Sequence, residues 1–219
     1  MADIASSQLT ELQATWIAPA RTALCIIDVQ HDFASPDGLL GQFGLNIDGV
    51  QPAVKNCMHL IDSARTAGVP IYFIGLKTTA QTDSPAWRQW MSRQGRDPEI
   101  ESAICRQDTK GMDFYMVHPQ LTDTIIYKTR YSAFFGTEFD KQLTQAKIDT
   151  LVFCGLTTEC CVESSVRDAF HHDYHGIVAT DACAAYEPQV HNASLCAMAI
   201  NFALLSDTQK ICSMWEKVT

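Results

Sequence analysis

The chain has 219 residues, enough for one domain with modest insertions. Hydrophobic residues make up 47% and charged residues 19%, so a packed core is favoured over disorder. A formal net charge of -9 repels phosphate backbones and argues against nucleic acid as a partner, and no apolar run approaches the ~20 residues of a membrane-spanning helix.

Residues 1–19 read as an N-terminal arm or short irregular helix, without the basic start and apolar stretch of a secretory signal. Thr22–Val29 (TALCIIDV) is a continuous apolar run, the pattern of a strand buried on both faces. Val50–Ala67 has helical spacing at Val54, Met58, Ile61 and Ala64, and Gly68 ends it. Val69–Gly75 (VPIYFIG) predicts a second strand. The region from Leu76 to Asp123 lacks strong periodicity apart from a short helix over Pro85–Arg93, and stretches this long are usually functional. Alternation then resumes. Thr124–Lys128 predicts a third strand, Thr137–Lys147 a helix capped by Thr137, and Thr150–Gly155 a fourth strand. Thr158–His172 predicts a helix with Val162, Val166, Ala169 and Phe170 on its apolar face. Gly176–Thr180 follows as a fifth strand. Pro188–Leu205 predicts a helix, with Lys210–Ser213 as a short sixth strand. Such alternation predicts an α/β fold, a mainly parallel sheet with helices on both sides, in a single domain over residues 1–219.

In an open parallel sheet, ligands collect at the carboxyl ends of the strands. Three of those ends carry chemistry: Asp28 after the first, Lys128 at the third, and the Cys160–Cys161 pair after the fourth. Singly, each has an ordinary reading as a turn cap, a solvated strand end or a packed thiol. Together, an acid, a cation and a thiol favour catalysis. With Thr158 as N-cap, Cys161 falls at the third helical position, where unsatisfied N–H groups and the helix dipole favour a thiolate. Asp28 is then the base that takes the thiol proton. Spacing alone does not separate Cys160 from Cys161.

Other motifs are weaker. No GxGxxG, GxxxxGK[ST] or GxSxG is present. The DVQHD run is similar to the Asp-x-Asp of aspartyl phosphatases, except that Gln30 stands at the second position. His171, His172 and His175 suit an ordinary helix stop before Gly176. Trp87, Trp90, Phe114 and Tyr115 either line a pocket or fill the core of a lid. The nine cysteines are irregularly spaced and several lie in apolar runs, which predicts a reducing, cytoplasmic setting without disulfides. No CxxC pair or Cys/His cluster suggests zinc.

GLTTECCVESSVRDAF (155–170) resembles the nucleophile motif of the isochorismatase-like cysteine hydrolases, whose cysteine directly precedes a valine. IIDVQHDF (26–33) resembles the family's first-strand aspartate motif, and YKTRYSAFFGTEFDKQL (127–143) its lysine segment. The resemblance runs from about residue 20 to 205. It implies a Rossmann-like three-layer αβα sandwich with a six-stranded, mostly parallel sheet, and a catalytic set of Asp28, Lys128 and Cys161. It also implies an oxyanion hole from the backbone N–H groups of Thr157 and Cys161, with a cis Leu156–Thr157 peptide. Phe33, Tyr131 and Phe134 follow motif residues and are expected to bind substrate; Trp87 joins them from the long region. Family members include nicotinamidases, whose metal site carries Asp-x-His after the second strand. Here that stretch is IGLKTTAQTD (74–83), without histidine, so no metal and no other cofactor are expected. The expected activity is hydrolysis of a non-peptide C–N bond in a small linear amide or carbamoyl or ureido compound, through a thioester. The substrate is set by residues 77–123, and the assembly is a homodimer or homotetramer. The alternatives are an isochorismatase-type enol-ether hydrolase and a non-catalytic, thiol-sensing member of the fold.

Overall fold

The structure is a computed structural model that describes residues 13–217. Much of the expected N-terminal arm therefore lies outside the described residues. Its remainder forms two short 3-10 turns, Ala14–Ile17 and Pro19–Arg21. Six strands follow in chain order: β1 (Thr22–Ile27), β2 (Ile71–Leu76), β3 (Thr124–Lys128), β4 (Thr150–Leu156), β5 (His175–Ala184) and β6 (Ala203–Ser206). They form one sheet in the order β3-β2-β1-β4-β5-β6, and every pairing is parallel. Nine helices are described: α1 (His31–Ala34), α2 (Leu39–Gln42), α3 (Val50–Ala67), α4 (Pro85–Arg93), α5 (Pro98–Glu101), α6 (Phe139–Gln145), α7 (Glu163–His171), α8 (Pro188–Asn201) and α9 (Thr208–Glu216).

The strand β1 shows why its sequence is apolar throughout. Side chains alternate across a strand. Leu24 and Ile26 join a core with Val54, Leu60 and Trp215 of α3 and α9. Ala23, Cys25 and Ile27 join the opposite core, with Phe139, Val166 and Leu195 of α6, α7 and α8. All six β1 residues are buried. The strand stops before Asp28 because that residue turns into the left-handed region at φ 47, which aspartate tolerates better than most residues.

Several boundaries differ from those the sequence predicts. The sixth strand is Ala203–Ser206, while Lys210–Ser213 lies inside α9. Asp207 caps that helix by accepting from Lys210 N (2.8 Å), and Ile211 and Trp215, one turn apart, bury the same face. The preceding helix stops at Asn201; no Gly or Pro marks the break, so ALLS merges with it in the sequence. Phe170 is 49% exposed, off the buried face formed by Val166 and Ala169. Thr137 precedes α6, which starts at Phe139, although its Oγ1 accepts from Phe139 N (3.2 Å).

The chain leaves β1 towards β2 and β3, then returns to place β4 on the other side of β1. This reversal is the topological switch point, and a crevice opens there at the carboxyl ends of β1 and β4. Gly155 makes the close approach possible. It has φ 118, and a Cβ at this position would lie 2.0 Å from the Ile27 carbonyl oxygen. No side chain fits there.

Candidate active site

Asp28 follows β1, Lys128 ends β3, and Cys161 lies in the turn after β4. Lys128 starts two strands away from β1, roughly 10 Å at ordinary strand spacing. Its long side chain covers that distance. Lys128 Nζ donates to Asp28 Oδ2 at 2.6 Å, to Cys161 Sγ at 3.4 Å and to the Arg130 carbonyl at 3.2 Å. Asp28 and Lys128 are fully buried, and Cys161 is nearly so. Three groups far apart in the sequence thus meet around one ammonium. Asp28 Oδ1 is buried without a hydrogen-bond partner within the usual distance.

The turn that carries Cys161 is not a simple α-helical start. Thr158–Val162 is one π-helical turn, followed by α7. Val162 N reaches back to the Thr157 carbonyl (3.2 Å), so Thr157, not Thr158, occupies the capping position. Cys161 is consequently the fourth residue of the turn, not the third. Thr158 instead bonds through Oγ1 to His191 Nδ1 (2.8 Å), and its carbonyl accepts from Ser194 Oγ (3.1 Å), tying the turn to α8. Ser165 Oγ donates to the Cys161 carbonyl (2.7 Å) and accepts from Ala133 N (3.0 Å), joining the cysteine turn to the lysine segment. The Leu156–Thr157 peptide is cis.

Burial and neighbouring charges shift all three groups. Burial raises the Asp28 carboxyl above its ordinary range, against the pull of the Lys128 charge. Burial works against the Lys128 ammonium, but Asp28 and Cys161 outweigh it and its pKa rises. Contact with Cys160, burial and the Asp28 charge hold the Cys161 thiol well above its usual value, and Lys128 only partly offsets them. These neighbours work against the thiolate expected from a helix start. The geometry sets the Cys161 sulfur beside the Asp28–Lys128 pair. The Asp28 expected as the base must be ionised to act, so activity is expected to fall as pH drops through its pKa. Because that pKa is raised, the acid limb of kcat/KM against pH is expected above the ~3.9 of an ordinary aspartate. A limb at or below that value in a pH–rate profile would contradict the assignment.

Above the thiol lies a cavity of about 610 Å³, whose wall includes Phe33, Trp87, Tyr131, Thr157, Cys160 and Cys161. Phe33, Tyr131 and Trp87 stand where the sequence leads one to expect substrate-binding residues. Phe134 does not. It is buried in the core beyond, stacked on His172 (5.1 Å between ring centroids) and tilted against Phe139 and Tyr174. The four aromatic residues of the long region divide. Trp87 and Trp90 line the cavity, whereas Phe114 packs edge-on against Phe73 and Tyr115 against His31. Sequence reasoning misses Cys160 and Arg130 as lining residues; both adjoin motif positions, the only signal available. Gln30 is a backbone clamp, donating to the Leu76 and Met112 carbonyls and accepting from Leu76 N. Asp32 accepts from Leu39 N and Cys105 N. Neither is arranged as a phosphatase carboxylate. Among the described residues no group of three His, Cys, Asp or Glu side chains is placed to hold a metal ion.

A doubly wound parallel sheet with a thiol, a carboxylate and an ammonium joined at its carboxyl edge defines a cysteine-centred α/β domain. More particularly, the chain belongs to the isochorismatase family: the Isochorismatase domain model matches residues 22–210. It is 32% identical over 201 residues to a ureidoacrylate amidohydrolase from Methylobacterium radiotolerans, covering 86% of this chain and 77% of that protein. A ureidoacrylate amidohydrolase from Acinetobacter baylyi is 30% identical over 218 residues, covering 94% and 88%. The crystal structure of a cysteine hydrolase from Pseudomonas syringae pv. phaseolicola has a TM-score of 0.81 at 25% identity, covering 93% of this chain and 96% of that one.

Proposed function

We propose that this protein is a cysteine amidohydrolase that cleaves the carbon–nitrogen bond of a small amide through a thioester on Cys161. The observation that carries the proposal is the buried Lys128 ammonium touching both Asp28 (2.6 Å) and Cys161 (3.4 Å). Its relatives among the ureidoacrylate amidohydrolases support the reaction type.

In this reading Asp28 takes the thiol proton as Cys161 Sγ attacks the carbonyl carbon. Lys128 holds the carboxylate in place and offsets the charge that develops on sulfur. Backbone N–H groups of Thr157 and Cys161 stabilise the oxyanion. Asp28 returns the proton to the leaving nitrogen, then activates the water that hydrolyses the thioester. The substrate is a small molecule and the chain assembles as a homodimer or homotetramer. No helix among the described residues is long and apolar enough to cross a membrane. We place the protein in the cytoplasm, a reading supported by nine free cysteines.

Mass spectrometry of protein quenched during turnover tests the mechanism. An acyl adduct is expected on the peptide containing Cys161, and the adduct should vanish in Cys161→Ala. Turnover with no adduct, or with the adduct on another cysteine, would refute the proposal.

A further inference from the structure

The cavity above Cys161 has a chemical character of its own. Its volume, about 610 Å³, lies within the ~300–1,000 Å³ of clefts that bury ligands of drug size. Its wall is largely apolar: Phe33, Leu76, Trp87, Trp90, Met91 and Ile104. The carboxylates on that wall are paired with arginines, and Arg130 bonds only to backbone carbonyls. Asp83 accepts two bonds of 2.7 Å from Arg106, and Glu101 accepts from Arg96 Nε at 2.7 Å. Arg130 Nη1 donates to the carbonyls of Thr82 (2.9 Å) and Thr129 (2.7 Å). A ligand held here is recognised mainly through apolar and aromatic surface.

The catalytic residues add a direction. Cys161 and Thr157 form part of the cavity wall, but Asp28 does not and is fully buried. The leaving nitrogen must take its proton from Asp28, so it points to the closed end. The bulk of the substrate must therefore lie on the acyl side, in the cavity.

We infer that the substrate is a primary amide with an apolar acyl body larger than a single ring. This inference rests on the amidase reading above. The carbonyl carbon forms a bond to Cys161 Sγ and loses its bond to nitrogen. The thiol proton passes through Asp28 to that nitrogen, which leaves as ammonia. Water then adds to the thioester carbonyl, restoring the thiol and releasing the carboxylic acid. The acyl body stays against the apolar wall that includes Trp87 and Trp90.

The test is a comparison of ammonia release from 2-naphthamide, acetamide and ureidoacrylate, with release of methylamine from N-methyl-2-naphthamide. The kcat/KM for 2-naphthamide should exceed the other three by at least about tenfold, the low end of discrimination by hydrophobic pockets. Trp87→Ala should narrow its lead over acetamide through a raised KM. Independently of turnover, 2-naphthamide should saturably change the tryptophan fluorescence of Cys161→Ala protein. If acetamide or ureidoacrylate matches or exceeds 2-naphthamide, the inference is overturned while the amidase reading stands. Equal turnover of the N-methyl amide would overturn the closed-end assignment. No release from any amide, with no adduct on Cys161, would overturn both the inference and the reading beneath it.

Discussion

Replacing Cys161 by alanine is expected to lower kcat/KM by at least about ten-thousandfold, because loss of a nucleophile leaves only binding and oxyanion stabilisation. Cys160→Ala is expected to lose no more than about tenfold. Both residues border the same cavity, so lining it does not separate them. The separation comes from the partner: Lys128 Nζ lies 3.4 Å from Cys161 Sγ and donates across to Asp28. Cys161 is also anchored through its carbonyl by Ser165, which fixes the turn without using the thiol. Alanine at 161 removes the sulfur and leaves these backbone bonds intact, so the variant should stay folded. Kinetics of the two variants on one substrate decide the matter. Full activity in Cys161→Ala, or loss in Cys160→Ala of the size expected for Cys161→Ala, would reassign the nucleophile.

The site is partly legible in the sequence. Apolar runs place Asp28, Lys128 and the cysteine pair at strand ends, and parallel topology alone brings such ends together. Periodicity cannot rank Cys160 against Cys161, since adjacent helical residues differ by about 100° and the turn itself is π-helical. The match of Cys161-Val162 to a family motif supplies the choice. Phe134 misleads because it follows the lysine in the same segment as Tyr131. By Phe134 the loop has turned inward, and its ring packs under α6 and α7. The strand β6 is hidden for a related reason: ALLS continues the apolar run of α8 with no Gly or Pro between them. The wall of the cavity is the least legible part. Trp90, Met91 and Ile104 come from a region whose path is set by local ion pairs such as Arg106–Asp83, and hydrophobic periodicity does not encode those.

Lys128→Met is expected to destabilise the protein by about 3–5 kcal/mol, the usual result of leaving one charge of a buried pair uncompensated. For a chain of this size that is a fall of roughly 6–20 °C in Tm. The pair has no exposure at either side chain, so solvent screens neither partner. Methionine keeps the length and volume of the lysine stem, which confines the loss to the charge and its hydrogen bonds. Asp28→Asn should cost a similar amount by stranding the ammonium, and asparagine tolerates the left-handed φ of 47 at that position. Removing both charges tests the coupling. The double variant should be at least as stable as either single one, because no unpaired charge stays buried. Activity should follow the opposite pattern, with all three variants inactive, since the double one lacks both the base and the cation. With its ammonium gone, Asp28 in Lys128→Met should also titrate higher. Thermal melts and a double-mutant cycle give the answer. A Lys128→Met protein that melts with the parent, or single effects that simply add in the double, would mean that the pair does not hold the site together. Stability regained in the double variant without activity is the signature of two charges that need each other in the fold and serve the chemistry together.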